Sequence, residues 1–349
     1  MEPEIRVSGK KIGPGHPVFI IAEISANHNQ DFSKAKRLVE AACRCGADAV
    51  KLQTYTPDTL TIDSSEKWFQ VKVNETWKGK TLYELYKEAY TPWEWQPKLK
   101  KIADSYGIVL FSTPFDETAV DFLEKMDVPA YKIASFELVD IELLKKVAKT
   151  KKPVIISRGM STIAEMKTAI STLKKYGTKE IAVLHCVSSY PALPEEMNLS
   201  TILDIRKRFG VVSGLSDHTL GISTAIASVA FGASIIEKHF TLSRTEKGPD
   251  SAFSIEPGEL KQLITSVRDV ERAIGKPSYG AGKIESENIV FRRSLFVVKD
   301  MKKGEKFTRE NVRCIRPGYG LPPVMLPKIL GKKAKTDIRR GTPIKSGLF

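Results

Sequence analysis

Eight short apolar runs, rich in Val and Ile and nearly continuous rather than alternating, recur along the chain at 18–22, 49–52, 108–111, 130–133, 154–156, 181–184, 211–215 and 234–236. Continuous apolar runs of this length suit strands covered on both faces, as in a parallel sheet. The segments between them carry 3.6-residue periodicity at 33–45, 96–106, 119–125, 141–149, 163–175, 199–209 and 223–231, and several are followed by Gly: Gly46, Gly107, Gly177, Gly210, Gly232. Gly just beyond a periodic segment is a helix stop. Eight strand-then-helix units predict an α/β fold of the TIM (β/α)8 barrel class, closed by a last helix at 258–274. One interval is about twice as long as the rest: residues 54–95 hold Tyr55, Trp68, Phe69, Trp77, Tyr83, Tyr86, Tyr90, Trp93 and Trp95. This insertion reads either as a lid over the barrel mouth or as a packed subdomain sealing the wall.

The texture changes after the last helix. A Gly- and Lys-rich linker spans 276–288, and from about 289 to 349 short strands and turns, with a hairpin-like Lys302-Lys303-Gly304-Glu305, predict a small β-rich domain. The barrel domain is accordingly 1–275. Charge divides the same way. Residues 289–349 carry 16 Lys and Arg against 4 Asp and Glu, a net of +12 out of +14 for the 349-residue chain. A basic tail calls for an anionic partner or is a solvated face; nucleic acid, an acidic membrane and an anionic substrate are all compatible with it. No early run is long enough to span a bilayer or act as a secretion signal, so the chain reads as cytoplasmic. The four cysteines, Cys43, Cys45, Cys186 and Cys314, show no zinc spacing and read as reduced thiols.

Chemistry concentrates where the apolar runs end. Glu23 follows the first; Lys51 and Gln53 the second; Ser112 and Thr113 the third; Lys132, Ser135 and Glu137 the fourth; Ser157 and Arg158 the fifth; His185 and Ser188 the sixth; Ser216, Asp217 and His218 the seventh; Glu237, Lys238 and His239 the eighth. In a TIM barrel these positions converge on one mouth, so an active site is expected there. His218 and His239 end adjacent strands and suit a divalent metal such as Mn2+, or a hydrogen-bonded pair without metal. Lys51 and Lys132 read as compact cations on neighbouring strands, flanked by hydroxyls. They suit a small ligand with phosphate and carboxylate groups, and a Schiff-base lysine is the competing use.

The stretches IAEISANHNQD (21–31), DAVKLQTYTP (48–57), STPFD (112–116), AYKIASFE (130–137), HCVSSYP (185–191), GLSDHT (214–219), EKHFTL (237–242) and GPDSAFSIEP (248–257), in this order, resemble the bacterial sialic acid synthases over nearly the whole chain. The tail, with KDMKKGE (299–305) and IRPGYG (315–320), is similar to that family's antifreeze-like (SAF) domain. TLYELYKEAYTPWEW (81–95), the YKIASFE stretch and PDSAFSIEP bring the chain nearer to the pseudaminic acid synthases within it. One departure is Arg158, where the family pattern usually has Thr; another is Ser188, where the synthase pattern has Asn.

The resemblance implies an enzyme, a transferase of carbohydrate biosynthesis, that condenses phosphoenolpyruvate with a trideoxy altrose carrying two acetamido groups. The products are a nonulosonic acid and phosphate released by C–O cleavage. N-acetylneuraminate and legionaminate synthases are the alternatives within the family. By resemblance, Lys51, Gln53, Thr113, Lys132, Ser135, Ser157, Ser188 and Ser216 bind phosphoenolpyruvate, and Asn27, Tyr190, Asp250 and Arg316 bind the sugar. His218, His239 and Glu23 hold a divalent metal, and Glu23, Lys51, Lys132, Glu137 and Asp250 are catalytic. The resemblance further implies a domain-swapped homodimer, with Arg316 from one chain over the other's barrel mouth. A nucleic-acid-binding role for the tail is the reading from another class. Few aromatics are available there for base stacking, and the polar strand ends would go unexplained, so neither nucleic acid nor membrane is the expected partner.

Overall fold

The apolar runs become strands because each has neighbours on both sides to take up its backbone hydrogen bonds and helices to cover its outer face. The computed structural model describes residues 2–72 and 77–349. Two short strands come first, β1 (Ile5–Val7) and β2 (Lys10–Ile12), paired antiparallel. Eight parallel strands then close into a barrel in the order β10-β3-β4-β5-β6-β7-β8-β9. They are β3 (Phe19–Glu23), β4 (Ala49–Thr54), β5 (Val109–Pro114), β6 (Tyr131–Ile133), β7 (Val154–Ser157), β8 (Ile181–Cys186), β9 (Val212–Asp217) and β10 (Ile235–His239). The helices are α1 (Phe32–Cys45), α2 (Pro57–Leu60), α3 (Leu82–Ala89), α4 (Gln96–Ser105), α5 (Glu117–Lys125), α6 (Ile141–Lys149), α7 (Ile163–Tyr176), α8 (Thr201–Phe209), α9 (Ser223–Ala230) and α10 (Pro257–Ile274).

Local chemistry sets the boundaries. Asp31 accepts from Ser33 N–H to open α1, and Gly46 at φ 91 ends it. Thr81 and Glu84 form a reciprocal capping box at α3, as Thr162 and Glu165 do at α7. The β1–β2 hairpin, which has no counterpart among the apolar runs of the sequence, places Ile5, Val7 and Ile12 in one buried cluster with Phe19, Ile21, Val109 and Phe111 from the barrel. Burying side chains of this size stabilises by about 1.5–3 kcal/mol each, enough to make a strand pair of three residues per arm worth keeping.

The structure divides into two units, Met1–Gly275 and Lys276–Phe349. The second holds a 3-10 turn at Glu285–Phe291, strands β11 (Ser294–Val297) and β12 (Val312–Ile315), a short helix α11 (Leu326–Ile329), and its own apolar core around Leu295, Val297, Phe307, Val312 and Ile344. The Lys302–Glu305 turn does not join two strands that pair with each other. Its flanks, Met301 and Lys306, bridge instead to Ile338 and Lys333. No helix of the described residues is long and apolar enough to cross a membrane.

Candidate active site

Every barrel strand but β6 runs past the last apolar residue of its predicted run, so many of the polar ends belong to the hydrogen-bonded wall, while Ser135, Glu137, Arg158, Ser188 and His218 lie just beyond it. Because side chains alternate along a strand, these ends split into two sets, and the expectation that all of them converge on the mouth is corrected accordingly. Lys51, Thr113, Lys132, Ser157, Ser216 and Glu237 meet inside the barrel. Ser112, His185, Asp217 and Lys238 make their contacts on the other face. Ser112 Oγ lies 2.6 Å from Thr54 Oγ1, and the His185 ring donates from Nε2 to Met197 O. Lys51 and Lys132 are not on neighbouring strands either. β5, with Thr113, stands between β4 and β6.

Inside, four charges balance. Lys51 Nζ lies 2.7 Å from Glu23 Oε2, 3.8 Å from Glu237 Oε2, and donates to Thr113 Oγ1 at 3.2 Å. Lys132 Nζ donates to Ser157 Oγ at 2.7 Å and lies 3.4 Å from Glu237 Oε1, which accepts from Ser216 Oγ at 2.9 Å. All four charged side chains are buried. Two ammonium groups and two carboxylates can share such a space because each charge removed from water has an opposite one in reach. The environment differs among them. Burial pushes the Glu23 carboxyl up despite Lys51, whereas the two lysines outweigh burial at Glu237 and hold it down. Burial also weakens the hold of Lys132 on its proton, even with Glu237 beside it, while the two carboxylates overcome burial at Lys51 and raise it.

Glu237 belongs to this centre, although in the sequence it stands only as a strand end. The signal was its place between Ile236 and His239 on the last strand. Cys186, which reads in the sequence only as a reduced thiol, is the other surprise. Its Sγ lies 3.6 Å from Ser135 Oγ, 3.9 Å from Ser188 Oγ and 3.8 Å from His218 Nδ1. Burial alone would raise the thiol, but the His218 imidazole outweighs it and lowers it. Gly159 lets the β7–α7 connection pass against the same hydroxyls. Its φ is +41°, and a Cβ there would fall 2.4 Å from Ser135 Cβ and 2.7 Å from Ser188 Oγ.

Above the charged floor opens a cavity of about 480 Å³. One wall is polar, with Ser25, Gln53, Glu137, Ser188, Ser189, His239 and Asp250; the other is apolar and drawn from the insertion, with Tyr55, Leu60, Val71, Trp77, Leu82, Leu85, Tyr86 and Ala89. Residues 73–76 of the insertion lie outside the described residues. Tyr55 packs edge-on against Tyr86 and Phe115, and Trp77 Nε1 donates to Pro249 O at 3.0 Å. Glu137 is half-buried, and the desolvation of its carboxyl pushes it up to about 7; its Oε2 has no hydrogen-bond partner. Asp250 is raised by burial and accepts from Ser25 Oγ. Gln53 Nε2 donates to Glu23 Oε1 at 3.0 Å and Ser25 Oγ at 3.2 Å, joining floor to cavity.

The two imidazoles lie at this seam. His218 and His239 have ring centroids 5.4 Å apart, and Tyr190 stacks over His218 at 4.3 Å. His218 Nδ1 donates to Val187 O at 2.9 Å, so that in the neutral ring Nε2 carries the lone pair. His239 Nδ1 is buried without a hydrogen-bond partner, 4.0 Å from Asp250 Oδ2, and Glu23 is the register partner of His239 on β3. Among the described residues no group of three or more His, Cys, Asp or Glu side chains is gathered closely enough to hold an ion unaided. Glu23, expected as a third ligand, is engaged instead by Lys51 at 2.7 Å and Gln53 at 3.0 Å, and the two imidazoles fit a divalent cation that takes its remaining ligands from water and substrate.

Three expected residues have other surroundings. Asn27 gives its amide to Phe240 O at 2.9 Å and Ser254 Oγ at 2.8 Å, bracing β3 to the segment after β10. Arg316 is exposed in the second unit, directly after β12. Arg158 turns its Nε onto His185 Nδ1 at 3.0 Å.

Residues 38–279 match the NeuB family and residues 292–347 the SAF domain. The chain is 43% identical to a pseudaminic acid synthase from Campylobacter jejuni over 95% of its own length and 96% of that protein. It is 38% identical to an N,N'-diacetyllegionaminic acid synthase from Legionella pneumophila over 96% and 95%. The crystal structure of an N-acetylneuraminic acid synthetase from Leptospira borgpetersenii superposes with a TM-score of 0.74 at 35% identity, covering 83% of this chain and 96% of that one.

Proposed function

The chain belongs to the NeuB family and carries a SAF domain, and from that premise we propose that it condenses phosphoenolpyruvate with a trideoxy sugar aldehyde bearing two acetamido groups, as a pseudaminic acid synthase. The observation that carries this reading is the pairing of two compartments: two buried lysines ringed by hydroxyls, opening into a mostly apolar cavity of about 480 Å³.

Lys51 and Lys132 hold the phosphate and carboxylate, with Thr113, Ser135, Ser157, Ser188 and Ser216 donating hydrogen bonds. The sugar lies in the cavity against Tyr190 and Asp250. His218 and His239 would hold the divalent cation, Mn2+ in this reading, which supplies Lewis-acid polarisation of the aldehyde. The enol carbon forms a bond to the aldehyde carbon, and Glu137, protonated below about 7, gives its proton to the oxygen that becomes a hydroxyl. Water adds to the carbon left electron-poor. Glu23, whose affinity for a proton is raised by burial, takes one of its protons, and the C–O bond to phosphate breaks as the other passes from the new hydroxyl to the departing phosphate, which leaves the ketone. The buried ammonium groups offset charge on phosphate throughout.

The same reading includes a homodimer in which the SAF domain of one chain covers the other's mouth with Arg316. Exposed apolar side chains around the rim, Phe136, Val139, Met160, Leu193 and Leu220, support a covered mouth. The test uses phosphoenolpyruvate labelled with 18O at the bridging oxygen, Mn2+ and the sugar. Acceptor-dependent release of labelled phosphate is expected; unlabelled phosphate, or release that ignores the acceptor, overturns the proposal.

A further inference from the structure

On the far side of the strands that carry the two imidazoles lies a buried ion pair that touches neither compartment. Lys238 Nζ lies 2.8 Å from Asp217 Oδ2, with side-chain exposures of 2% and 0%. Each residue immediately precedes one imidazole: Asp217 precedes His218 on β9, and Lys238 precedes His239 on β10, and the two are partners in the β9–β10 register. Neither residue belongs to the binding or chemical machinery described above, and a buried ion pair of this kind is weak grounds for stability by itself, since well-packed apolar residues often serve as well.

Its geometry does something more specific. Asp217 Oδ1 accepts from both the N–H of Thr219, at 2.9 Å, and the Thr219 hydroxyl, at 2.8 Å. Lys238 Nζ donates at 2.7 Å to the carbonyl of that same Thr219. The residue after His218 therefore has both backbone groups tied to the pair, and the residue before it is half of the pair. His218 is the middle of a clamped three-residue segment, and the other end of the clamp is the residue beside His239. Cutting the pair releases the Thr219 carbonyl from Lys238 and unties the two strand ends from each other, which changes the imidazole spacing without touching either ring.

We infer that Asp217 and Lys238 are positioning residues that set the separation and orientation of His218 and His239 for cation binding. The inference rests on the reading that these imidazoles hold the cation. Outer partners that orient ligating imidazoles typically change metal affinity by about 10–100-fold when lost, and the present pair would act at one further remove, through the backbone.

The test is calorimetric binding of Mn2+ alone to the metal-stripped full chain, and of phosphoenolpyruvate alone. Asp217→Asn and Lys238→Met each strand one buried charge and are expected to destabilise the fold, so the decisive variant is Asp217→Asn/Lys238→Met. It removes both charges while the amide oxygen introduced at position 217 still accepts from Thr219. The expected result is a chain that melts cooperatively near the wild-type temperature and binds phosphoenolpyruvate as wild type does. Its Mn2+ affinity falls about tenfold or more, and the visible spectrum of its Co2+ form is altered. Wild-type Mn2+ affinity and an unchanged Co2+ spectrum in the double variant overturn the positioning role and leave the cation reading intact. Failure of the unmodified chain to bind Mn2+ overturns the cation reading itself, and the inference with it.

Discussion

The floor of the barrel mouth and the cavity above it are built from the same chain by different means. The floor is made of strand ends. Lys51, Thr113, Lys132, Ser157, Ser216 and Glu237 sit on six different strands of one closed wall, and each side chain is fixed by the hydrogen-bond ladder on both sides of it. The apolar side of the cavity comes largely from one insertion, residues 55–89, whose α2 and α3 pack against each other and are not part of the wall. A part held by the whole barrel can keep charged groups at fixed distances without water. A part held by one insertion can change its lining without disturbing the barrel. The floor therefore suits the chemistry common to a family, and the insertion suits the choice of acceptor.

The largest effect should come from the floor. Lys132→Met leaves Glu237 buried with only Lys51 near it, and breaking a buried pair in this way costs about 3–5 kcal/mol. Lys132→Met/Glu237→Gln should restore much of the melting temperature and none of the phosphate release, whereas recovery of both would mean that the floor is structural. Stripping the divalent cation is next. Activity should fall to background on chelation and return with Mn2+, and full turnover in a stripped sample would remove His218 and His239 from the chemistry.

Glu137 stands where the two regions meet, and its effect should be intermediate. Glu137→Gln should lower turnover by about 10²–10⁴-fold, the usual contribution of a positioned acid. Because burial raises this carboxyl from 4.5 to about 7, the acid form predominates below about 7. Turnover should fall as pH rises through that value, and the variant should lose that limb; an unchanged profile in Glu137→Gln would assign the limb elsewhere. Stability runs the same way. The folded chain binds this proton more tightly than the unfolded one, so the contribution is fully present below 4.5 and is lost as pH rises through about 7.

The smallest effect should come from the insertion. Leu85→Ala opens the apolar wall and should cut the preference for the deoxy, diacetamido acceptor by about tenfold, near the worth of a few buried methyl groups. The apparent affinity for phosphoenolpyruvate should not move; if it does, the two regions are not separable in the way described.

The two regions also differ in how far the sequence exposes them. The floor was legible because its residues punctuate apolar runs. In most runs hydrophobicity stops a residue or two before the ladder does, as in β9, where the pattern ends at Leu215 and the strand at Asp217. What the runs could not convey is alternation across their ends, which sends Ser216 inward and Asp217 outward, or that Lys51 and Lys132 have a strand between them. The insertion was legible only as a length and a count of aromatics. Its α3 has Leu82, Leu85, Tyr86 and Ala89 on one face, but eight residues offer barely two turns of periodicity. The β1–β2 hairpin was invisible for the same reason: three residues per strand are too few to register a period. Cys186 was missed because a thiol in an apolar run looks like packing until the fold brings His218 beside it.

On the proposed reading, a shared charged floor performs the condensation while the insertion selects a deoxy, diacetamido sugar. Both halves of that division meet in one number: the ratio of kcat/KM for that sugar over N-acetylmannosamine, measured in one assay with phosphoenolpyruvate and Mn2+ in excess. The apolar wall leaves hydroxyls of the second sugar without partners, so a ratio of about a hundred or more is predicted. Equal values for the two sugars would contradict it.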